Sequence, residues 1–202
     1  MCGIFSYLGK SIEEEKLEEY SNKIKHRGPD NSVFKKIKND LYFGFHRLMV
    51  NGLDDISNQP LYITNETDGG VILICNGEIY NYDKLVNEEN FNYKTKSDCE
   101  VIGHMYLKYG IKKTLDNLDG VFSFVLYDVK KDIVYVARDP LGIRSLFIGK
   151  NGDNEFGFCS EMKGLMFCDE INQFPPGCYW SNNEPSNFIP YYNFNYNIVE
   201  DN

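Results

Sequence analysis

This sequence has no excess of positive charge. Its 30 acidic residues outnumber 21 basic ones, for a formal net charge of -9. A chain so charged offers no electrostatic footprint to nucleic acid or to an anionic membrane surface. It also lacks any apolar run approaching the roughly 18 residues of a membrane-spanning helix. The short apolar start is followed by SIEEEKLEEY rather than by a small-residue cleavage site, so no secretory signal and a cytoplasmic location are expected. The cysteines Cys2, Cys75, Cys99, Cys159, Cys168 and Cys178 include no CxxC pair. No His/Cys cluster has the spacing of a zinc site, so no metal is expected and most of the thiols are expected to be reduced and buried. Repeats and low-complexity linkers are missing too. What remains is a chain of 202 residues, 42% hydrophobic and 15% aromatic, enough to form the core of one ordinary domain.

The hydrophobic pattern predicts strands over 2–8, 32–37, 41–47, 71–76, 121–128, 132–138, 145–149 and 155–160. Asn39-Asp40, Lys130-Lys131-Asp132 and Asn151-Gly152 read as hairpin turns, so the pairing is expected to be antiparallel. Two helices carry capping-box signals. Ser11 with Glu14 precedes a face of Leu17, Tyr20 and Ile24. Ser97 with Glu100 precedes a face of Val101, Ile102, Met105, Tyr106 and Tyr109, which Gly110 is placed to stop. Shorter helices are expected over 111–118 and 161–166. VILICN and VFSFVLYD are apolar on both faces and so need cover on both sides. The simplest α+β architecture that provides it is a four-layer αββα sandwich of two antiparallel sheets. A domain over 1–184 is expected, with an aromatic-rich arm or linker over 185–202 that is neither helix nor strand by pattern.

Several short motifs could carry chemistry. Cys2 follows the initiator methionine, and removal of Met1 would give one residue a thiol and an α-amine of comparable pKa, a nucleophile with its own base. Position alone favours a cysteine that merely starts a strand. HRGPD (26–30) is a loop, since Pro29 excludes Gly28 from helix; Arg27 and Asp30 could bind a substrate's carboxylate and amine, but a loop held by an internal Arg27–Asp30 contact is the simpler reading. Arg47, at the end of a strand, could grip a carboxylate bidentately, although a solvated surface arginine is the simpler reading. Asn76-Gly77 closes an apolar strand as a turn, yet the amide NH2 of the asparagine and the N–H of the glycine also make two donors suited to an oxyanion. Glu78 follows and could bind an ammonium group. Asp98 suits the start of a helix by the dipole alone, or could accept from a substrate amine. Taken together, these groups would fit a free amino acid with a side-chain carbonyl.

The ordered set MCGIF, HRGPD, HRL, NGEIYN, SDCEVI, LDGVFSFVLYD, ARDPLGIRSLF, SEMKGL and FPPGCY resembles the glutaminase domain of glutamine-hydrolysing asparagine synthetase. That domain is a class II glutamine amidotransferase of the N-terminal-nucleophile hydrolase superfamily, and the resemblance spans roughly residues 2–195. It implies Cys2 as nucleophile, Asn76 and Gly77 as oxyanion hole, and Arg47 on the α-carboxylate of glutamine. Glu78 and Asp98 would stand around the α-amine, and Leu48 and Val50 would line the pocket. Met49 and Asn51 depart from the residues expected there. HRGPD and DPLGIR are assigned mainly to structure. The implied half-reaction needs no metal or organic cofactor; ATP and magnesium belong to a following synthetase domain, and no SGG-type or P-loop phosphate cradle occurs here. The expected partners are glutamine and a separate synthetase domain or subunit. Other acceptors, phosphoribosyl pyrophosphate or fructose 6-phosphate, remain alternatives, as does a non-catalytic glutamine-binding or interaction module.

Overall fold

The computed structural model describes residues 1–50, 52–64, 69–152 and 154–193. Among them, alternation along the strands creates the layers. In β1 (Gly3–Leu8), Ile4 and Leu8 face one apolar cluster while Phe5 and Tyr7 face another. β3 (Leu41–Arg47) repeats this, with Leu41, Phe43 and Phe45 inward and Tyr42 outward. These strands join β2 (Asn31–Lys38), β8 (Phe147–Asn151), β9 (Glu155–Cys159) and β10 (Glu170–Gln173) in one antiparallel sheet, ordered β10-β8-β9-β1-β3-β2. The second sheet is ordered β12-β11-β7-β6-β5-β4. It contains β4 (Leu61–Ile63), β5 (Val71–Ile79), β6 (Gly120–Asp128), β7 (Ile133–Arg138), β11 (Cys178–Ser181) and β12 (Ile189–Pro190).

Ile74, Val125 and Val136 of the second sheet meet Ile4, Phe43 and Phe158 of the first, together with Trp180 and Phe174. The outer face of the first sheet is covered by α1 (Glu14–Asn22) through Leu17. The outer face of the second is covered by α2 (Tyr82–Glu89) and α3 (Glu100–Asn117) through Leu85, Val101, Ile102 and Met105. The result is the expected αββα sandwich, with strand pairs satisfying the backbone and apolar clusters on both faces of each sheet.

Both capping boxes fail. α1 begins after Glu13 with no side-chain cap. Ser11 is committed elsewhere, because its N–H and hydroxyl and the Lys10 N–H all donate to the Glu155 carboxylate, as does Tyr7. Glu14 and Glu15 instead favour the positive end of the helix. α3 begins after Cys99, also without a side-chain cap. The Glu100 carboxylate accepts from the amides of Lys94 (2.9 Å) and Thr95 (2.7 Å) rather than reaching Ser97. Gly110, with φ 77°, breaks the helix as expected and the chain resumes helically to Asn117. The helix expected over 161–166 is a 3-10 turn, Met162–Leu165.

α2, β4, β10, β11 and β12 lack a sequence pattern strong enough to be read. The arm is half a correction: Ile189–Pro190 adds an edge strand to β11, Trp180 Nε1 donates to Pro185 O, and Tyr191 OH donates to Arg138 O. The rest of the arm, 194–202, lies outside the described residues, as does Asn51. No helix among the described residues is long and apolar enough to cross a membrane.

Candidate active site

A cleft opens where β1 begins and where β3 and β5 end. Cys2, Arg47, Leu48, Val50, Asn76, Gly77, Glu78 and Asp98 all line it, so the topology gathers the eight residues that the resemblance assigns to a site, while Arg27 and Asp30 of HRGPD do not line it. The register Gly3↔His46 places the start of β1 beside the end of β3, with Cys2 opposite Arg47 and next to Leu48. The Leu48 amide donates to Cys2 Sγ at 3.4 Å, and Leu48 O lies 3.6 Å from the same sulfur. Burial pushes the Cys2 thiol up, while the Leu48 amide, the N-terminal ammonium and Arg47 pull it back only in part. A resting thiol, protonated until a base takes the proton, is the consequence.

The backbone around Cys2 is held from below. Arg27 Nε donates to Cys2 O at 2.9 Å, and Arg27 Nη1 pairs with Glu161 at 3.0 Å. Asp30 accepts from the Met49 amide at 2.8 Å. A Cβ on Gly28 would collide with the His46 carbonyl, so only glycine lets the HRGPD loop lie against β3. The loop is therefore structural, but through Glu161 and Met49 rather than an Arg27–Asp30 contact. His46 is buried, and burial lowers its pKa. Ser21 O, 2.8 Å from Nε2, can only accept, so Nε2 carries the proton and Nδ1 accepts from Ser32.

On the facing sheet, β5 runs past the short β4. The pairing Leu61↔Leu73 is extended by the Gln59 side chain, whose amide donates to Cys75 O and whose oxygen accepts from Cys75 N–H. Two residues per repeat then puts the Gly77 N–H on this same open edge, away from β6. Gly77 is required there, since a Cβ would stand 2.7 Å from Val121 O across the β5–β6 pair. Asn76 is 1% exposed, and its Nδ2 has no hydrogen-bond partner among the described residues. A buried amide donor left unpaired costs about 1–3 kcal/mol, so its place on a cleft wall calls for an acceptor from outside.

The remaining groups are more engaged than their motifs imply. Arg47 is 3% exposed, which excludes the surface-arginine reading. Its Nη1 donates to Asp54 O (3.0 Å) and Asn58 Oδ1 (2.5 Å), and its Nη2 to Gly52 O. It thus clamps the 52–58 segment while facing the cleft. Asp98 sits in the turn before α3 rather than in the helix, and its Oδ2 accepts from the Ile79 amide at 2.6 Å. Glu78 pairs with Arg144 at 3.2 Å. The Cys99 thiol, also on the cleft wall, is pushed well up by its contact with Cys75 and by burial.

The sequence profile of the glutamine amidotransferase domain matches residues 1–185. The chain belongs to the glutamine amidotransferase domain family. Glutamine-hydrolysing asparagine synthetase 1 of Arabidopsis thaliana is 41% identical over 188 residues, covering 90% of this chain and 31% of that protein. The enzyme of the same name from Lotus japonicus is 41% identical over 200 residues, covering 96% of this chain and 33% of that one. The chain thus spans about a third of the length of these curated relatives. Among solved structures, the glutamine phosphoribosylpyrophosphate amidotransferase of B. subtilis, complexed with ADP and GMP, superposes with a TM-score of 0.76 at 22% identity. The match covers 89% of this chain and 47% of that one. An allosteric regulatory enzyme of purine biosynthesis gives 0.73 at 23% identity, over 89% of this chain and 46% of that one. At such identities the likeness establishes the fold. In this amidotransferase domain the sequence reading missed Gln59 and Arg144 on the cleft wall. Gln59 carries no motif signal, and Arg144 closes DPLGIR, a segment whose resemblance points mainly to structure.

Proposed function

We propose that this domain hydrolyses the side-chain amide of glutamine to glutamate and ammonia through a thioester on Cys2, as the glutaminase half of an asparagine synthetase-type amidotransferase. The observation that carries the reading is the buried Asn76 amide, without a partner among the described residues, in the same cleft as Gly77 and Cys2. Met1 is 57% exposed, accessible to removal. Once it is gone, the free amine of Cys2 takes the thiol proton, and the thiolate attacks the amide carbon. The carbonyl oxygen, now negative, is received by Asn76 Nδ2 and the Gly77 N–H. The C–N bond breaks as the protonated amine returns its proton to the leaving ammonia, and water then cleaves the thioester. Arg47 holds the α-carboxylate, Asp98 and Glu78 the α-amine, and backbone groups of Leu48 and Val50 complete the wall.

No step calls on a metal or organic cofactor; ATP and magnesium would serve a synthetase domain that uses the ammonia. Relatives near 40% identity are asparagine synthetases, which favours that acceptor over phosphoribosyl pyrophosphate. A cytoplasmic location belongs to the same reading. The test is glutamate and ammonia release from glutamine, beside Cys2→Ala. Release by the parent and none by Cys2→Ala is expected; equal rates contradict the proposal.

A further inference from the structure

Arg144 is held in place by an unusually complete frame. Asp139 accepts from the amides of Ile143 (2.9 Å) and Arg144 (2.9 Å). Arg138 donates to the carbonyls of Arg144 (2.7 Å), Gly142 (2.7 Å) and Phe174 (2.7 Å). Both framing residues are buried, and the 139–144 loop is pinned at each turn. Its product is one arginine side chain on the cleft wall, 12% exposed, with Nη2 on Glu78 and Nε buried without a partner among the described residues. Glu78 needs such a hold. Its side chain is 44% exposed, and a glutamate that exposed is otherwise free to turn into water.

We propose that Arg144 is a positioning residue that fixes the Glu78 carboxylate toward the substrate's α-ammonium group and so sets selectivity for free α-amino acids. This rests on the glutamine-binding reading above. The pair is also net neutral, so the wall attracts the ammonium locally without repelling the neighbouring α-carboxylate. Arg144 itself does not touch the reacting atoms; its effect passes through Glu78. A lysine in its place would keep the charge and lose the planar fork.

The test measures binding by calorimetry in the Cys2→Ala protein, so that turnover does not intervene. Two ligands are compared: L-glutamine, and 4-carbamoylbutanoate, which lacks the α-amine. Arg144→Gln should weaken glutamine about tenfold and leave 4-carbamoylbutanoate within about twofold. Arg144→Lys should fall between. Glu78→Gln/Arg144→Gln should bind glutamine no more weakly than Glu78→Gln alone, because Arg144 acts through Glu78. Equal weakening of both ligands, an additive loss in the double variant, or no change in glutamine affinity would each overturn the proposal. Arg144→Lys keeps the test open if Arg144→Gln fails to fold. Glutamine binding with this selectivity but no ammonia release from the parent protein would uphold Arg144 and contradict only the hydrolytic reading.

Discussion

The site's character is decided by what single residues leave unsatisfied. Among the described residues Asn76 keeps a buried donor without an acceptor, an arrangement that stability alone does not favour. Asn76→Ala should therefore lower the rate of glutamine hydrolysis on the order of a hundredfold, mostly in kcat, without lowering the thermal midpoint. A matching loss of stability would assign Asn76 to the fold instead. Cys2 has the complementary property, a thiol kept protonated by burial. In protein that retains Met1, alkylation of Cys2 should rise with pH along a curve displaced above the free-cysteine value of about 8.5. The cleft-lining residues could be named from the sequence only through the ordered motif set, since position alone reads Cys2 as the start of a strand and Arg47 as a surface arginine. Their partners could not be named. That Arg47 also clamps Gly52, Asp54 and Asn58 depends on a loop path with no local signature.

Elements followed their patterns when both faces were buried. β1, β3, β5 and β6 carry long apolar alternations, and the helix break at Gly110 carries its own backbone signal. α2 buries only Leu85, so periodicity had nothing to report, and β12 pairs two residues. The capping boxes misled because a distant carboxylate, Glu155, outbid the helix for Ser11, and because Glu100 turned to the 94–95 amides. Gly28 is the sharpest element-level test. Gly28→Ala forces a Cβ into the His46 carbonyl and should cost more than about 2 kcal/mol in urea unfolding. It should also slow Cys2 chemistry, because the same loop carries Arg27 to the Cys2 backbone. Wild-type stability in that variant would mean the loop is loosely held.

At the scale of the whole molecule, two sheets and two helical layers enclose carboxylates that folding makes stronger acids. For Glu100, Glu155, Glu161 and Asp128 burial works against ionisation, but bonds from His104 and Thr95, from Ser11 and Lys10, from Arg27 and Lys163, and from Lys131 and Tyr106 prevail, so each pKa is lowered. Their unfolded values lie near 4, so their contribution is complete above that and is lost as pH falls through the lower folded values. The urea midpoint should hold between pH 7 and 5 and drop by pH 3; a flat profile contradicts these assignments. The most direct test of the central claim is the intact mass of the protein quenched during turnover of glutamine. A species lacking Met1 and carrying one glutamyl group on Cys2 is expected, absent from Cys2→Ala. Undiminished ammonia release from a protein that retains Met1, or from Cys2→Ala, would contradict it.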